Sequence, residues 1–212
     1  MYNTILWDND GVLVDTEGLF FAETRAAFAR LGLELTEEMW VASYLGKGTP
    51  SKELAREMGA DPERIAPVLI ERNKNHLRAL EQPIRIRPRV RETLAALEGK
   101  VRMAMVTGGH RQQLRLMHDT GELLDYFEVI VTGDEATKSK PDPEPYLMTI
   151  EEMGVDKSAC LAVEDSQRGL AAALAAGIAC IVVPTKLTCR QDFTGALSVE
   201  NDVSGVVKYV TR

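Results

Sequence analysis

Short apolar runs recur along the chain, and their character predicts the class of fold. Most are apolar throughout, and they are Thr4 to Trp7, Val101 to Val106, Glu128 to Val131, Ala159 to Val163, and Ala179 to Val183. Runs of this length and composition are typical of strands that are covered on both faces in a parallel sheet.

Each of the later four runs is preceded by a segment with helical spacing. These predicted helices are Arg89 to Leu97, Arg111 to Thr120, Pro143 to Met153, and Gln167 to Ala176. Strand and helix in alternation predict an α/β fold, in which a doubly wound parallel sheet carries helices on both faces.

The stretch that follows the first run breaks this alternation. It has no strand-like run, but Thr36 and Asp61 stand where helix N-caps are expected, and Asp61 is followed by a proline at the first helical position. We therefore predict that residues 1–15 and 83–212 form a Rossmann-like core domain and that residues 16–82 form an inserted α-helical cap domain.

Composition narrows the range of partners. The chain of 212 residues has a formal net charge of -7 and a pI near 5.1, which argues against a nucleic acid or an anionic membrane as its partner. One basic cluster, Arg85 to Arg91, is interpreted as a solvated linker and helix start. No apolar run reaches the ~18 residues of a membrane span. We expect a cytoplasmic protein that is a monomer or a weak dimer.

The cysteines do not indicate a metal centre or a disulfide framework. Cys160, Cys180 and Cys189 form no CxxC pair and no cluster with the three histidines. The carboxylates that directly follow the first apolar run are a better candidate, since Asp8 and Asp10 come at the end of a predicted strand. Clustered carboxylates repel one another unless a cation joins them, and Mg²⁺ prefers such oxygen ligands. Gly11 would let the chain turn tightly past the ion.

Polar clusters also follow the next three predicted strands. Thr107 and Gly108 follow the second, Lys140 the third, and Glu164 with Asp165 the fourth. Ligands of an open parallel sheet bind beyond the carboxyl ends of its strands, near the point where strand order reverses. Together these clusters supply what phosphoryl transfer needs: carboxylates, a hydroxyl on a glycine-rich turn, an ammonium group, and an acidic pair for a metal.

The combination resembles the haloacid dehalogenase superfamily, and within it the phosphatases and β-phosphoglucomutase-like proteins that have a helical cap after the first strand. The residues that match the four family motifs are Asp8 and Asp10, Thr107, Lys140, and Glu164 with Asp165. The resemblance covers essentially the whole chain.

The resemblance implies a set of roles. Asp8 is expected to attack phosphorus and form an aspartyl-phosphate, and Asp10 to protonate the leaving oxygen and then activate water. Mg²⁺ is expected to be held by Asp8, Asp10 and Asp165, with Glu164 assisting. The residues expected to hold the phosphoryl oxygens are Thr107, Gly108 and Lys140.

Charge counting leads to one further expectation. The four carboxylates of Asp8, Asp10, Glu164 and Asp165 outweigh Lys140 and one divalent cation by a single negative charge. Protonating Asp10 would bring this balance to zero and would suit both anion binding and a role as the acid.

Other candidate residues leave alternatives open. Gly46 and Lys47 lie in a segment that looks like the family's substrate-specificity loop, but an ordinary loop between helices explains them nearly as well. Arg111 opens a helix where it could touch phosphate or only solvent. His118 is interpreted as a structural residue within that helix, and Lys140 is preferred to Lys138 because it directly precedes a proline.

The function favoured by these patterns is a phosphatase of small phosphorylated metabolites, such as a sugar phosphate or a phosphoglycolate-like compound. A sugar phosphomutase is one alternative, but such mutases have a histidine where this chain has Phe20 and a basic residue where it has Thr49. A catalytically silent binding protein is another alternative, although no core residue has been lost. Dehalogenation would need neither Asp10 nor the Glu164 and Asp165 pair.

Overall fold

The computed structural model describes residues 1–118 and 123–210, and these form one parallel sheet with flanking helices and a helical insert. The six strands are β1 (Thr4–Trp7), β2 (Arg102–Val106), β3 (Val129–Val131), β4 (Cys160–Glu164), β5 (Ala179–Val182) and β6 (Ser198–Val199). Their order across the sheet is β3-β2-β1-β4-β5-β6, and all neighbours are parallel. The predicted doubly wound α/β fold is confirmed.

Four helices alternate with strands β2 to β5 along the chain. They are α5 (Val90–Leu97), α6 (Arg111–Met117), α7 (Glu144–Met153) and α8 (Gln167–Ala175). The predicted bounds of these strands and helices differ from the observed ones by at most one residue, and the predicted end of α6 at Thr120 lies outside the described residues. The two-residue strand β6 was not predicted, because a run so short carries no period.

The helical insert lies between β1 and α5. Its helices are α1 (Glu17–Arg30), α2 (Glu37–Trp40), α3 (Ser51–Glu57) and α4 (Pro62–Leu80), and α2 continues into a π-helical turn, Val41–Lys47. Thr36 and Asp61 cap α2 and α4 as predicted, because their side-chain oxygens accept backbone N–H groups of the first turn.

Each part of the chain packs around its own apolar cluster. Two clusters cover the faces of the sheet, one around Trp7 and Leu94 and the other around Tyr146 and Leu170. A third, around Phe28 and Trp40, belongs almost entirely to the insert. None of the helices among the described residues is both long and apolar enough to cross a membrane.

The two connections between the insert and the sheet run side by side. The N–H of Asp15 donates to Arg85 O at 2.9 Å, and the N–H of Arg87 donates to Leu13 O at 2.9 Å. Val14 and Ile86 form an antiparallel bridge between these bonds. The chain therefore leaves the sheet and returns to it at one place.

Candidate active site

A cavity of about 810 Å³ lies between the carboxyl edge of the sheet and the insert. Strand order reverses between β1 and β4, so the loops after these strands diverge there and leave room for a ligand. Most of the predicted site residues line this cavity, and they are Asp8, Asp10, Gly108, Lys140, Glu164 and Asp165. Thr107 is buried directly beside them.

Lys140 is the electrostatic centre of the site. Its ammonium group donates to Asp8 Oδ1 at 2.7 Å, to Glu164 Oε1 at 2.6 Å and to the carbonyl of Val106 at 2.7 Å. Burial alone would lower the pKa of Lys140, but Asp8 and Glu164 outweigh burial and the pKa is raised. The lysine therefore keeps its charge, whereas Lys138 pairs with Asp142 at the surface.

Asp10 is oriented by hydroxyl groups from both sides. Thr16 Oγ1 donates to Asp10 Oδ1 at 2.6 Å, and Thr107 Oγ1 donates to Asp10 Oδ2 at 3.1 Å. Thr107 in turn accepts the N–H of Gly109 at 3.0 Å, which fixes its hydroxyl. These bonds fix the orientation of the Asp10 carboxyl at the wall of the cavity.

Glycines let the acidic pair after β4 approach the backbone closely. A Cβ at Gly11, whose φ of 81° already disfavours a side chain, would collide with Asp165 Oδ2. A Cβ at Gly169 would collide with the carboxylate of Glu164. Both glycines are therefore needed for the carboxylates to reach their places.

Three buried carboxylates could hold a divalent cation. One oxygen each from Asp8, Glu164 and Asp165 lies within 4.8 Å of the others. Asp165 Oδ2 is buried and has no hydrogen-bond partner among the described residues, although Glu164 is already bonded by Lys140 and Tyr146. An orphaned carboxylate oxygen among oxygen ligands is the donor set that a hard divalent cation requires.

The raised pKa values of Asp8 and Asp165 also indicate a site that lacks positive charge. Burial is the main cause that raises the pKa of Asp8 to about 8, and it also raises that of Asp165 well above its ordinary range. Repulsion among the neighbouring carboxylates adds to both shifts, and Lys140 opposes the shift of Asp8. A cation at this cluster would favour the charged forms.

Three predicted substrate-binding residues are placed elsewhere. The guanidinium of Arg111 bonds Glu135, at 2.6 Å from Nη2, and is not among the residues that line the cavity. Lys47 is exposed, and Gly46 packs near Val41 O. Of the glycines in this segment, Gly48 lines the cavity and Gly46 does not.

At Gly48 the insert touches the catalytic edge. A Cβ at this residue would lie 2.5 Å from Pro141 Cδ and 2.9 Å from Lys140 O, and its φ is 73°. The π-helical turn Val41–Lys47 ends directly before Gly48, and the role of Gly46 and Lys47 in substrate binding stays a prediction.

Comparison with known proteins identifies the family. Residues 5–183 match the model of the haloacid dehalogenase-like hydrolases. This chain belongs to that family. The phosphorylated carbohydrates phosphatase of Thermotoga maritima is 31% identical over 82% of this chain and 81% of its own length. The phosphoglycolate phosphatase of Nitrosospira multiformis is 33% identical over 85% of this chain and 82% of its own length.

Solved structures of this hydrolase family have the same architecture. CbbY from Rhodobacter sphaeroides, in complex with xylulose-(1,5)bisphosphate, superposes with a TM-score of 0.82. It is 27% identical, and the match covers 97% of this chain and 96% of that one. The predicted family resemblance and the predicted enzyme class are both confirmed.

One buried pair in this hydrolase was missed from sequence. Glu17, at the start of α1, faces Arg168 of α8 across the cavity, with 3.7 Å between Oε1 and Nη2. The guanidinium carbon of Arg168 also lies 4.4 Å from the centroid of the Tyr44 ring. Burial raises the pKa of Glu17 to about 7, although Arg168 opposes the shift. Glu17 lies seven residues after Asp10 and Arg168 three residues after Asp165, so their nearness to predicted motifs was the available signal.

Two further residues support the loop that carries Asp8 and Asp10. Arg87 is half-buried and donates to the carbonyl groups of Gly11, Val183 and Pro184, so the prediction of a solvated cluster is wrong for Arg87. The other members, Arg85, Arg89 and Arg91, are exposed as predicted. His118 bonds Asn9 Oδ1 at 2.8 Å from Nε2, and burial lowers the pKa of this histidine to about 4. It lies at the C-cap of α6 rather than within the helix.

Proposed function

We propose that this chain is a Mg²⁺-dependent phosphatase of small phosphorylated metabolites, sugar phosphates or phosphoglycolate-like compounds, that works through an aspartyl-phosphate on Asp8. The observation that carries the proposal is the meeting of residues from separate strand ends in one cavity. Asp8, Lys140 and Asp165 are respectively 7%, 6% and 3% exposed there. The phosphatases among the relatives of this chain support the same reaction.

The first half-reaction follows from the positions of Asp8 and Asp10. A carboxylate oxygen of Asp8 forms a bond to phosphorus while the bond from phosphorus to the ester oxygen breaks. The departing alkoxide takes a proton from Asp10, which Thr16 and Thr107 hold in position. Lys140, Thr107 and the amide of Gly108 bind the phosphoryl oxygens and stabilise their charge.

In the second half-reaction the roles of Asp10 reverse. Asp10 takes a proton from a water molecule while the oxygen of that water forms a bond to phosphorus. The bond from phosphorus to the Asp8 oxygen breaks, so the Asp8 carboxylate is restored and inorganic phosphate is released. Mg²⁺ held by Asp8, the backbone of Asp10 and Asp165, with help from Glu164, would neutralise negative charge on the carboxylates and the phosphoryl group. Lys140 remains charged throughout.

The helical segment 16–82 is proposed to act as a cap that closes over the substrate. Phe20 and Tyr44 lie on the cavity wall that this segment contributes, so closure excludes bulk water. The paired connections at residues 14–16 and 82–87 are the proposed hinges. A cavity of this size favours a small phosphate ester over a phosphoprotein.

The test is hydrolysis of an aryl phosphate and of a panel of sugar phosphates and phosphoglycolate with Mg²⁺. We expect turnover in the wild type and a loss of at least ~10³-fold in Asp8→Asn, since the nucleophile is removed. Stoichiometric release of inorganic phosphate, rather than an isomerised sugar phosphate, distinguishes a phosphatase from a mutase. Equal rates in the wild type and Asp8→Asn would refute the proposal.

A further inference from the structure

Asn9 is a buried polar residue between the two aspartates that the proposed reaction uses. It is fully buried, so bulk water cannot bond its amide. The backbone carbonyl of Asn9 accepts the N–H groups of Val12, Leu13 and Val14, which close the turn after β1. The backbone of Asn9 is therefore fixed by the same turn that carries Asp10.

The side chain of Asn9 joins Asp10 to a histidine from a distant part of the chain. Its Nδ2 donates to Asp10 Oδ2 at 3.3 Å. Its Oδ1 lies 2.8 Å from Nε2 of His118, which is 109 residues further along the chain. Two consecutive hydrogen bonds therefore connect the end of α6 to the carboxyl that is proposed to act as acid and base.

The orientation of the Asn9 amide decides whether it can bond Asp10. If the amide were turned end for end, its oxygen would face the carboxylate oxygen of Asp10, and two acceptors cannot bond each other. An N–H group of His118 excludes this arrangement, because it bonds the amide oxygen and leaves the NH₂ group for Asp10. The imidazole must then carry its hydrogen on Nε2.

His118 is suited to this task because it is both buried and neutral. It is 6% exposed, and burial lowers its pKa to about 4, although the charge of Asp10 opposes the shift. A neutral imidazole has a single N–H donor, and Asn9 Oδ1 is the acceptor for it here. The histidine therefore orients the amide without placing a positive charge near Asp10.

The bond from Asn9 differs from the other two bonds to Asp10. Thr16 bonds one carboxylate oxygen, and Thr107 and Asn9 bond the other. The Thr107 hydroxyl is also expected to bind the phosphoryl group, so a substrate competes with Asp10 for it. Asn9 is fully buried and is not among the residues that line the cavity. Its bond to Asp10 is therefore the one that a bound substrate leaves in place.

We propose that Asn9 and His118 are positioning residues, which hold the Asp10 carboxyl in the orientation from which it protonates the leaving oxygen. This inference rests on the proposed function, because Asp10 has that role only in a phosphatase of this type. Neither residue contacts the substrate. The loss of either should therefore weaken proton transfer and leave substrate binding unchanged.

The dependence of the rate on the leaving group tests the proposal. The alkoxide of a sugar phosphate needs a proton as it departs, whereas 2,4-dinitrophenyl phosphate releases a stable anion that does not. In His118→Phe and in Asn9→Leu we expect kcat/KM for the sugar phosphate to fall by about 30-fold, and for the aryl phosphate by less than ~3-fold. Asp10→Asn should show the same selectivity with a loss of ~10² to 10⁴-fold.

Two matched variants show whether the effect comes from the lost N–H group. The side chain of glutamine can place an N–H group near the position of Nε2, so His118→Gln should recover kcat/KM for the sugar phosphate to within ~5-fold of the wild type. Arg115 is exposed on the same helix, and Arg115→Gln should leave both rates unchanged. Equal losses on the two esters in His118→Phe and Asn9→Leu, or no loss on either, overturn the proposal.

¹⁵N NMR of the histidine rings tests the same hydrogen bonds without turnover. The chain has three histidines, and His118→Gln identifies the signals of His118. At neutral pH we expect the Nε2–H tautomer in the wild type, and a changed Nε2 shift in Asn9→Leu because the acceptor is lost. The Nδ1–H tautomer in the wild type would overturn the positioning role even if neither variant folds. An absence of hydrolysis by the wild type refutes the phosphatase instead, so the two failures are distinguishable.

Discussion

The cavity has a buried cation at each end, and the two differ in what surrounds them. Lys140 bonds two carboxylates within 2.7 Å, and they raise its pKa above the ordinary range. Arg72 bonds only hydroxyls, and burial lowers its pKa. Lys140, at the core end, is thus paired before any substrate arrives, whereas Arg72, at the cap end, takes part in none of the ion pairs among the described residues.

The largest expected effect tests whether the core end needs a divalent cation. In Asp165→Asn we expect Mg²⁺-dependent turnover to fall by ~10³-fold or more, because the orphaned carboxylate oxygen is lost. The increase in Tm on addition of Mg²⁺ should vanish as well. Asp134→Asn, at an exposed residue on the same cavity, should retain both responses. A full Mg²⁺ response in Asp165→Asn would contradict the metal assignment.

Removing the paired cation should destabilise the protein. Lys140→Met leaves Asp8 and Glu164 buried without their partner, and we expect a loss of about 3 to 5 kcal/mol in the free energy of unfolding. The loss should be larger at pH 9 than at pH 6, because protonation of Asp8, whose pKa is about 8, relieves it at the lower pH. Urea denaturation measures it, with the exposed Lys138→Met as the control. Equal losses in the two variants would show that the buried pairing contributes nothing.

The buried carboxyl of Glu17 predicts that the stability of the protein depends on pH. Its pKa is raised from 4.5 to about 7, so the folded state binds this proton more tightly than the unfolded state does. Its contribution is full below pH 4.5 and is lost as the pH rises to 7. Glu17→Gln should flatten this fall by an amount of the order of 1 to 3 kcal/mol, measured by urea unfolding across the window. Glu34→Gln, at an exposed residue, should keep the wild-type slope.

The smallest expected effect is on stability at Arg72, and it compares the two cations directly. Arg72→Met should change the free energy of unfolding of the ligand-free protein by less than ~1 kcal/mol, since a buried charge outside these ion pairs is replaced by an apolar side chain of similar length. Thermal unfolding beside Lys140→Met provides the measurement. A loss as large as that of Lys140→Met would mean that Arg72 is already compensated in the ligand-free fold.

The core end could be predicted from sequence because topology alone brings it together. Asp8, Thr107 and Glu164 follow parallel strands, and the ends of such strands share one edge of the sheet. The order of the runs therefore placed these residues without any knowledge of side-chain packing. The order of strands and polar clusters along the chain was therefore enough to predict which residues meet at this end.

The cap end could not be predicted in this way. Which face of α4 meets the cavity depends on how the insert packs, and Arg72 and His76 are one turn apart on a stripe that also contains Leu69 and Leu80. Spacing cannot distinguish these buried polar residues from solvated ones. The π-helical turn Val41–Lys47 was not predicted either, because such a turn is not visible as a pattern of apolar residues.

The adjacent hydrogen bonds at Asp15 and Arg87 have a consequence for how such an enzyme diversifies. Since the chain departs and returns at neighbouring positions, the intervening helices are a module whose ends need not move when its content changes. Arg87 fastens the return segment directly to the backbone of Gly11. Helices of different length or sequence can be exchanged at this junction, so new specificities can arise while the chemistry is inherited intact.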